Sequence, residues 1–144
     1  MAVTCEDLMK TDVATVGLRD SAQRAARFMR DMNIGFLPVV DDRMRVLGTI
    51  TDRDIAIRVV ADSLPTHTGI KECMTREIVS CRPTDDIDRA IAIMTERKKS
   101  RLMVLDNDDR LVGVISLSDI VEALDPVRAG QTLQSISSRE IHAS

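Results

Sequence analysis

The chain has 144 residues, 44% hydrophobic and 30% charged, with a net charge of −3 at pH 7. That is enough apolar material for one compact unit or two small ones, and no excess of either sign points to nucleic acid or an anionic membrane as its main partner. Two phenylalanines are the only aromatic residues, so base-stacking platforms for single-stranded nucleic acid are not expected, and the core must come from aliphatic residues, alanine and methionine.

The opening stretch "MAVTCEDLMK" carries Glu6 and Asp7 and no apolar run of a secretory leader. No later stretch approaches the roughly 18 apolar residues that span a bilayer. Val13–Val16 reads as a short strand bounded by polar residues. Asp20 is placed to N-cap a helix, with Gln23 at the reciprocal position. Ala22, Ala25, Ala26, Met29 and Met32 then recur at helical spacing, and Gly35 lies near the helix end. Leu37–Val40 and Val46–Ile50 are apolar strands on either side of the polar turn "DDRMR". Thr51 opens a second helix, with Ile55, Val59 and Val60 on its inner face.

After "DSLPTHTG" the same order returns: a strand at Ile78–Cys81, a helix at Asp85–Lys98, strands at Leu102–Asp106 and Leu111–Ile115, and a helix over Ser116–Leu124. Sliding the sequence by 65 positions lays "LMKTDVATV" over "CMTREIVSC", "LPVVDD" over "LMVLDN" and "RVLGTITDRDI" over "RLVGVISLSDI", without a gap. Self-similarity at a fixed offset means two copies of one supersecondary unit. The expected division is 4–62 for the first copy, 63–69 for a linker, 70–125 for the second copy and 126–144 for a tail. In the tail Leu133, Ile136 and Ile141 form a helical stripe, either of a frayed segment or of a helix that caps a dimer. A unit of this size without disulfides buries little surface alone, so the two sheets are expected to pack together about a pseudo-twofold axis.

The three cysteines, Cys5, Cys73 and Cys81, are odd in number and lack CxxC spacing, which argues against a disulfide framework or a zinc site. Small buried thiols in a reducing cytoplasm are the expectation. His67 and His142 have no neighbouring ligand at metal spacing.

One motif carries chemistry. Thr51-x-x-Asp54 is a capping box in form, and most such boxes bind nothing. It recurs in register as Ser116-x-x-Asp119, each time with a glycine three residues ahead (Gly48, Gly113). A hydroxyl at a strand-to-helix switch suits a phosphate oxygen. An ionised aspartate accepts only, so a ribose diol suits it. The glycine would let ligand and backbone approach closely.

The repeat layout, with "IGFLPVVDD", "VLGTITDRDI" and "LVGVISLSDI", resembles a tandem pair of CBS domains, a Bateman module, over about Thr4 to Leu124. The resemblance implies an α/β fold of two β-α-β-β-α repeats packed sheet to sheet, disc-like homodimers, and clefts for adenosine-containing ligands such as AMP, ATP, S-adenosylmethionine or NAD. Carried over by position, Thr51 and Asp54 would serve phosphate and ribose in one cleft, and Ser116 and Asp119 in the other. Adenine would meet Thr15 and Val16 with Phe36, Leu37 and Pro38, or Ser80 and Cys81 with Arg101, Leu102 and Met103. Arg53 is either a phosphate cation or a solvated surface arginine. The second copy departs from the pattern, with Met103 for Pro38, Ser100 for Gly35 and no counterpart of Arg53.

The function expected on these grounds is a cytoplasmic regulatory sensor of an adenine nucleotide. It requires no cofactor or metal, and its effector is not named by the sequence. No His–carboxylate pair, activated nucleophile or Walker lysine suggests an enzyme. The rival is a protein-interaction or oligomerisation module whose ligand clefts are vestigial; nucleic-acid binding is disfavoured.

Overall fold

The computed structural model describes residues 3–143, with side chains through Ile136. The fold is mixed α/β and falls into two compact units: one is Ala14–Ile78, the other combines Met1–Val13 with Val79–Ser144. Each unit thus holds the body of one sequence copy together with the short segment that introduces the other copy.

In the unit Ala14–Ile78, strands β1 (Phe36–Val40) and β2 (Val46–Thr51) form an antiparallel pair with Phe36 opposite Thr51 and a bulge at Val39/Val40. The expected strand at Val13–Val16 contracts to a single parallel bridge between Val16 and Val39. Helix α2 (Ala22–Met32) is N-capped by Ser21, whose hydroxyl accepts from Arg24 N–H at 3.1 Å, and not by Asp20. The Asp20 carboxylate is taken one turn earlier, accepting from Gly17 N–H at 2.7 Å. Ala22, Ala25 and Met29 face the core, whereas Met32 is 51% exposed at the helix end. The left-handed residue that ends α2 is Asn33, at φ 53°; Gly35 follows it, and a Cβ there would lie 2.8 Å from the Asp52 carboxylate.

Helix α3 (Asp52–Ile55) passes directly into a π-helical turn, Ala56–Val60, closed by the bond from Ala61 N–H to Ala56 C=O at 2.9 Å. The wider turn shifts the apolar register. Val59 is buried, but Val60 is 71% exposed, against the sequence expectation for it. Helix α4 (Ile70–Cys73) completes the core, bringing Ile70, Cys73 and Met74 against Val16, Leu37 and Ile50.

In the other unit, β3 (Ser80–Cys81) runs parallel to β4 (Arg101–Leu105), and β4 antiparallel to β5 (Leu111–Ser116). Helix α1 (Cys5–Leu8) precedes them in the chain. Helix α5 (Ile87–Arg97) is capped by Asp86 through its bond from Asp88 N–H at 2.8 Å; Asp85, the expected start of the helix, instead accepts from Arg82 N–H at 2.8 Å. Helix α6 (Leu117–Val121) stops before Leu124. The tail is helix α7 (Pro126–Ala143), held by Ile136 in the core and by an ion pair from Arg128 to Asp88 on α5. Leu133 is 41% exposed, and the side chains of Ile141 and His142 lie outside the described residues. No helix among the described residues is long and apolar enough to cross a membrane.

All three cysteines are buried and free, in line with the expectation of small buried thiols. Cys5 and Cys81 touch, with Sγ atoms 3.5 Å apart. The Cys81 thiol donates to the Cys5 sulfur and lowers the Cys5 pKa below the usual thiol value. The same contact, with burial, pushes Cys81 up.

Candidate functional site

The two strand-to-helix corners are built alike. At the end of β2, Thr51 is the N-cap of α3: its Oγ1 accepts from Asp54 N–H at 3.1 Å, and its own N–H donates to Asp54 Oδ2 at 3.0 Å. At the end of β5, Ser116 Oγ accepts from Asp119 N–H at 3.2 Å while Ser116 N–H donates to Asp119 Oδ2 at 3.0 Å. The extended N-cap residue turns β-strand into helix in a single step, which holds hydroxyl and carboxylate side by side.

The second carboxylate oxygen has a partner the sequence reading missed. Asp54 Oδ1 accepts from Thr75 Oγ1 at 3.1 Å, and Asp119 Oδ1 lies 3.7 Å from Lys10 Nζ. Thr75 and Lys10 occupy the same position 65 residues apart, in the segments "CMTRE" and "LMKTD". The repeat alignment paired them, but neither residue resembles a cap or a ligand, so only their register against β2 and β5 reveals the contact. Thr75 and Thr49 exchange both backbone bonds, at 2.9 and 2.8 Å, and Lys10 and Val114 do the same at 2.9 Å.

That register also reassigns the glycines. A Cβ on Gly48 would stand 2.3 Å from Thr75 O, and one on Gly113 2.6 Å from Met9 Sδ and 2.9 Å from Lys10 O. Both glycines admit an incoming backbone segment, in place of the close ligand approach expected of them.

Around the first corner, Phe36 is half-buried and stands opposite Thr51, and Thr15 is half-buried. Val16 and Leu37 belong to the core, and Pro38 is fully buried. Arg53 is exposed on α3. Around the second, Arg101 is exposed opposite Ser116, and Ser80 is half-buried opposite Met103. Cys81, Leu102 and Met103 are buried. A cavity of about 490 Å³ opens here, lined by Ser100, Arg101, Ser116, Leu117, Val121 and, from α7, Leu133. Asp119 faces a different cleft, of about 240 Å³, with Asp7, Leu8 and Glu122. The Ser116 hydroxyl is further engaged by Asp119 Oδ2 at 2.7 Å and Ser118 Oγ at 2.8 Å.

Comparison with known proteins agrees with this doubled architecture. The family model of the CBS domain matches twice, over residues 5–61 and 70–126. The CBS domain-containing protein YhcV of Bacillus subtilis (strain 168) is 36% identical over 138 residues, covering 95% of this chain and 97% of the relative. The crystal structure of Hypoxic Response Protein I, with two coordinated zinc ions, has a TM-score of 0.77 at 32% identity, covering 85% of this chain and 99% of that one. The CBS domain pair of protein MJ0100, in complex with 5′-methylthioadenosine and S-adenosyl-L-methionine, has a TM-score of 0.76 at 26% identity, covering 91% and 99% of the two chains.

Proposed function

The chain belongs to the CBS-domain family as a tandem pair, and from that premise we propose that it is a non-catalytic regulatory module binding an adenosine-containing ligand at its strand-to-helix corners. The observation that carries this reading is the corner made twice, with a hydroxyl and an aspartate fixed together at the end of a strand. The MJ0100 pair, similar in fold, holds two adenosine compounds, which supports that ligand class. AMP, ATP, NAD and S-adenosylmethionine are the candidates. Thr51 and Asp54 serve phosphate and ribose at the first corner, with Arg53 as a further phosphate cation. Thr15, Val16, Phe36, Leu37 and Pro38 supply the adenine wall there, the buried ones through their backbone. Ser116 and Asp119 act at the second corner, with Ser80, Cys81, Arg101, Leu102 and Met103. The module works as a cytoplasmic homodimer.

The two corners differ in spare capacity. A carboxylate offers about four acceptor positions, and Asp54 uses two of them internally, which leaves room for a ribose diol. Asp119 Oδ2 already takes two bonds from Ser116, and its other oxygen faces Lys10. Titration calorimetry of the four candidates into wild type, Asp54→Asn and Asp119→Asn tests the reading. Asp54→Asn weakens binding about ten- to a hundredfold, as expected for a lost bond to a charged acceptor, and Asp119→Asn weakens it less. No binding of any candidate by wild type at millimolar concentration sinks the sensor reading and leaves an interaction module. Sedimentation of a clean monomer at micromolar concentration would remove the dimer.

A further inference from the structure

Beyond the corners, the two copies differ at the opposite end of the sheet. In the unit with Val79–Ser144, Arg82 lays its guanidinium over the end of β4, donating to Leu105 O at 3.4 Å, to Asp106 O, and to Asp109 Oδ1 at 3.2 Å. The position 65 residues earlier is Gly17. The turn around it is the same: Gly17 N–H donates to Asp20 Oδ2 as Arg82 N–H does to Asp85 Oδ2, at 2.7 and 2.8 Å. The following turn also matches, since Asp41 Oδ1 accepts from Arg43 and Arg45 N–H where Asp106 Oδ1 accepts from Asp108 and Arg110 N–H. With no side chain at 17, a cleft of about 320 Å³ lies open, lined by Gly17, Arg19, Val40, Asp41, Asp42 and Leu47.

We propose that this cleft beside Gly17 is a binding site for a guanidinium group supplied by another molecule. The argument is substitution in kind. The backbone frame that receives the Arg82 guanidinium in one copy is kept in the other, with glycine at the position of that arginine. A guanidinium presents five N–H donors in a planar fork, and the frame offers carbonyls at Val40 and Asp41, the counterparts of Leu105 and Asp106. Asp109 is replaced by Met44 and Asp108 by Arg43, whereas Asn107 is replaced by Asp42, which lines the cleft. Arg19 also lines the cleft and opposes a cation, so the affinity is modest. Two sources can supply the group, a free small guanidine or an arginine side chain of a protein.

The test is an amide-shift titration of the full ¹⁵N-labelled chain with methylguanidinium and, separately, with a blocked Gly-Arg-Gly peptide. Saturable shifts at Gly17 and Val40–Asp42 are expected, tightened by Arg19→Ala. Tighter binding of the peptide identifies a protein arginine as the source, and equal binding identifies the free guanidine. Gly17→Arg fills the cleft from within and weakens binding at least about tenfold. The new side chain has room, because a Cβ at 17 meets nothing nearer than Val40 O at 3.8 Å. Should that variant fail to fold, Gly17→Gln supplies the same comparison. Arg82→Gly opens the matching cleft, so new shifts appear at Leu105–Asp109 on adding methylguanidinium. Absence of saturable shifts in wild type, or shifts unchanged in the filled variant, overturns the proposal.

Discussion

Thr75 Oγ1 donates to Asp54 Oδ1 at 3.1 Å across 21 residues of chain, joining the segment that introduces the second copy to the corner that ends the first sheet. Asp54 is therefore more than a helix cap, since one of its oxygens fixes α3 and the other fixes Thr75. Thr75→Val removes the donor at nearly constant volume and should lower stability by about 1 kcal/mol, read from the urea midpoint at unchanged slope. Asp54→Ala, which also strips the cap, should cost about 2 kcal/mol. Equal losses in the two variants would show that the cap contributes nothing.

The two strand glycines should respond unequally to alanine. At Gly48 the added carbon meets backbone at 2.3 Å, Thr75 O, whereas at Gly113 the nearest backbone atom, Lys10 O, stands at 2.9 Å and the closest atom is the side-chain sulfur of Met9 at 2.6 Å. Gly48→Ala should cost about 2–3 kcal/mol, near the upper end for ordinary single substitutions, and Gly113→Ala clearly less. Thermal melts of the two variants decide the order.

Thiol chemistry should report the buried pair. Cys73 and Cys81 are almost inaccessible, and burial raises the Cys73 pKa, so native alkylation of both should be slow and become fast in urea. Cys5 is held low by the bond from Cys81. Cys81→Ala removes that donor, so the pH at which Cys5 ionises, read from thiolate ultraviolet absorbance, should move upward. A downward move would contradict the assigned donor.

Two turn aspartates should shape the acid limb of stability. Burial opposes ionisation of Asp41, but N–H donors from Arg45 and Arg43 and the Arg45 side chain bring its pKa below the usual value. The N–H of Arg110 leads the same effect at Asp106. A carboxyl with a depressed native pKa contributes stability above its unfolded pKa and loses it as the pH falls through the native one. The Asp41→Asn/Asp106→Asn double variant should show a smaller fall in Tm between pH 7 and pH 3 than wild type.

Much of the corner was legible in the chain, because a capping box is local. Thr51 with Asp54, and Ser116 with Asp119, stand three residues apart, and their mutual bonds need only the turn between them. The burial of Cys73 and Cys81 could be read from Leu8 and Val16 at the equivalent positions, since a repeat preserves its inward faces. The cap of α2 and the start of α5 each fall later than expected for an equally local reason. Asp20-Ser21 and Asp85-Asp86 each offer two good caps in succession, and the choice depends on which of them the preceding turn engages.

The sequence by itself determined the duplication, the alternation of strand and helix within each copy, and the hydroxyl–aspartate pair at each corner, all of which rest on periodicity and contacts between near neighbours. Tertiary structure alone decided that Thr75 and Lys10 reach those aspartates, that Gly48 and Gly113 make way for backbone, and that Arg82 fills a place which Gly17 leaves open. Those outcomes depend on the register of segments far apart in the chain. Such register is set by which backbone edges pair and by the volume left between them, and neither quantity is carried by any short run of residues.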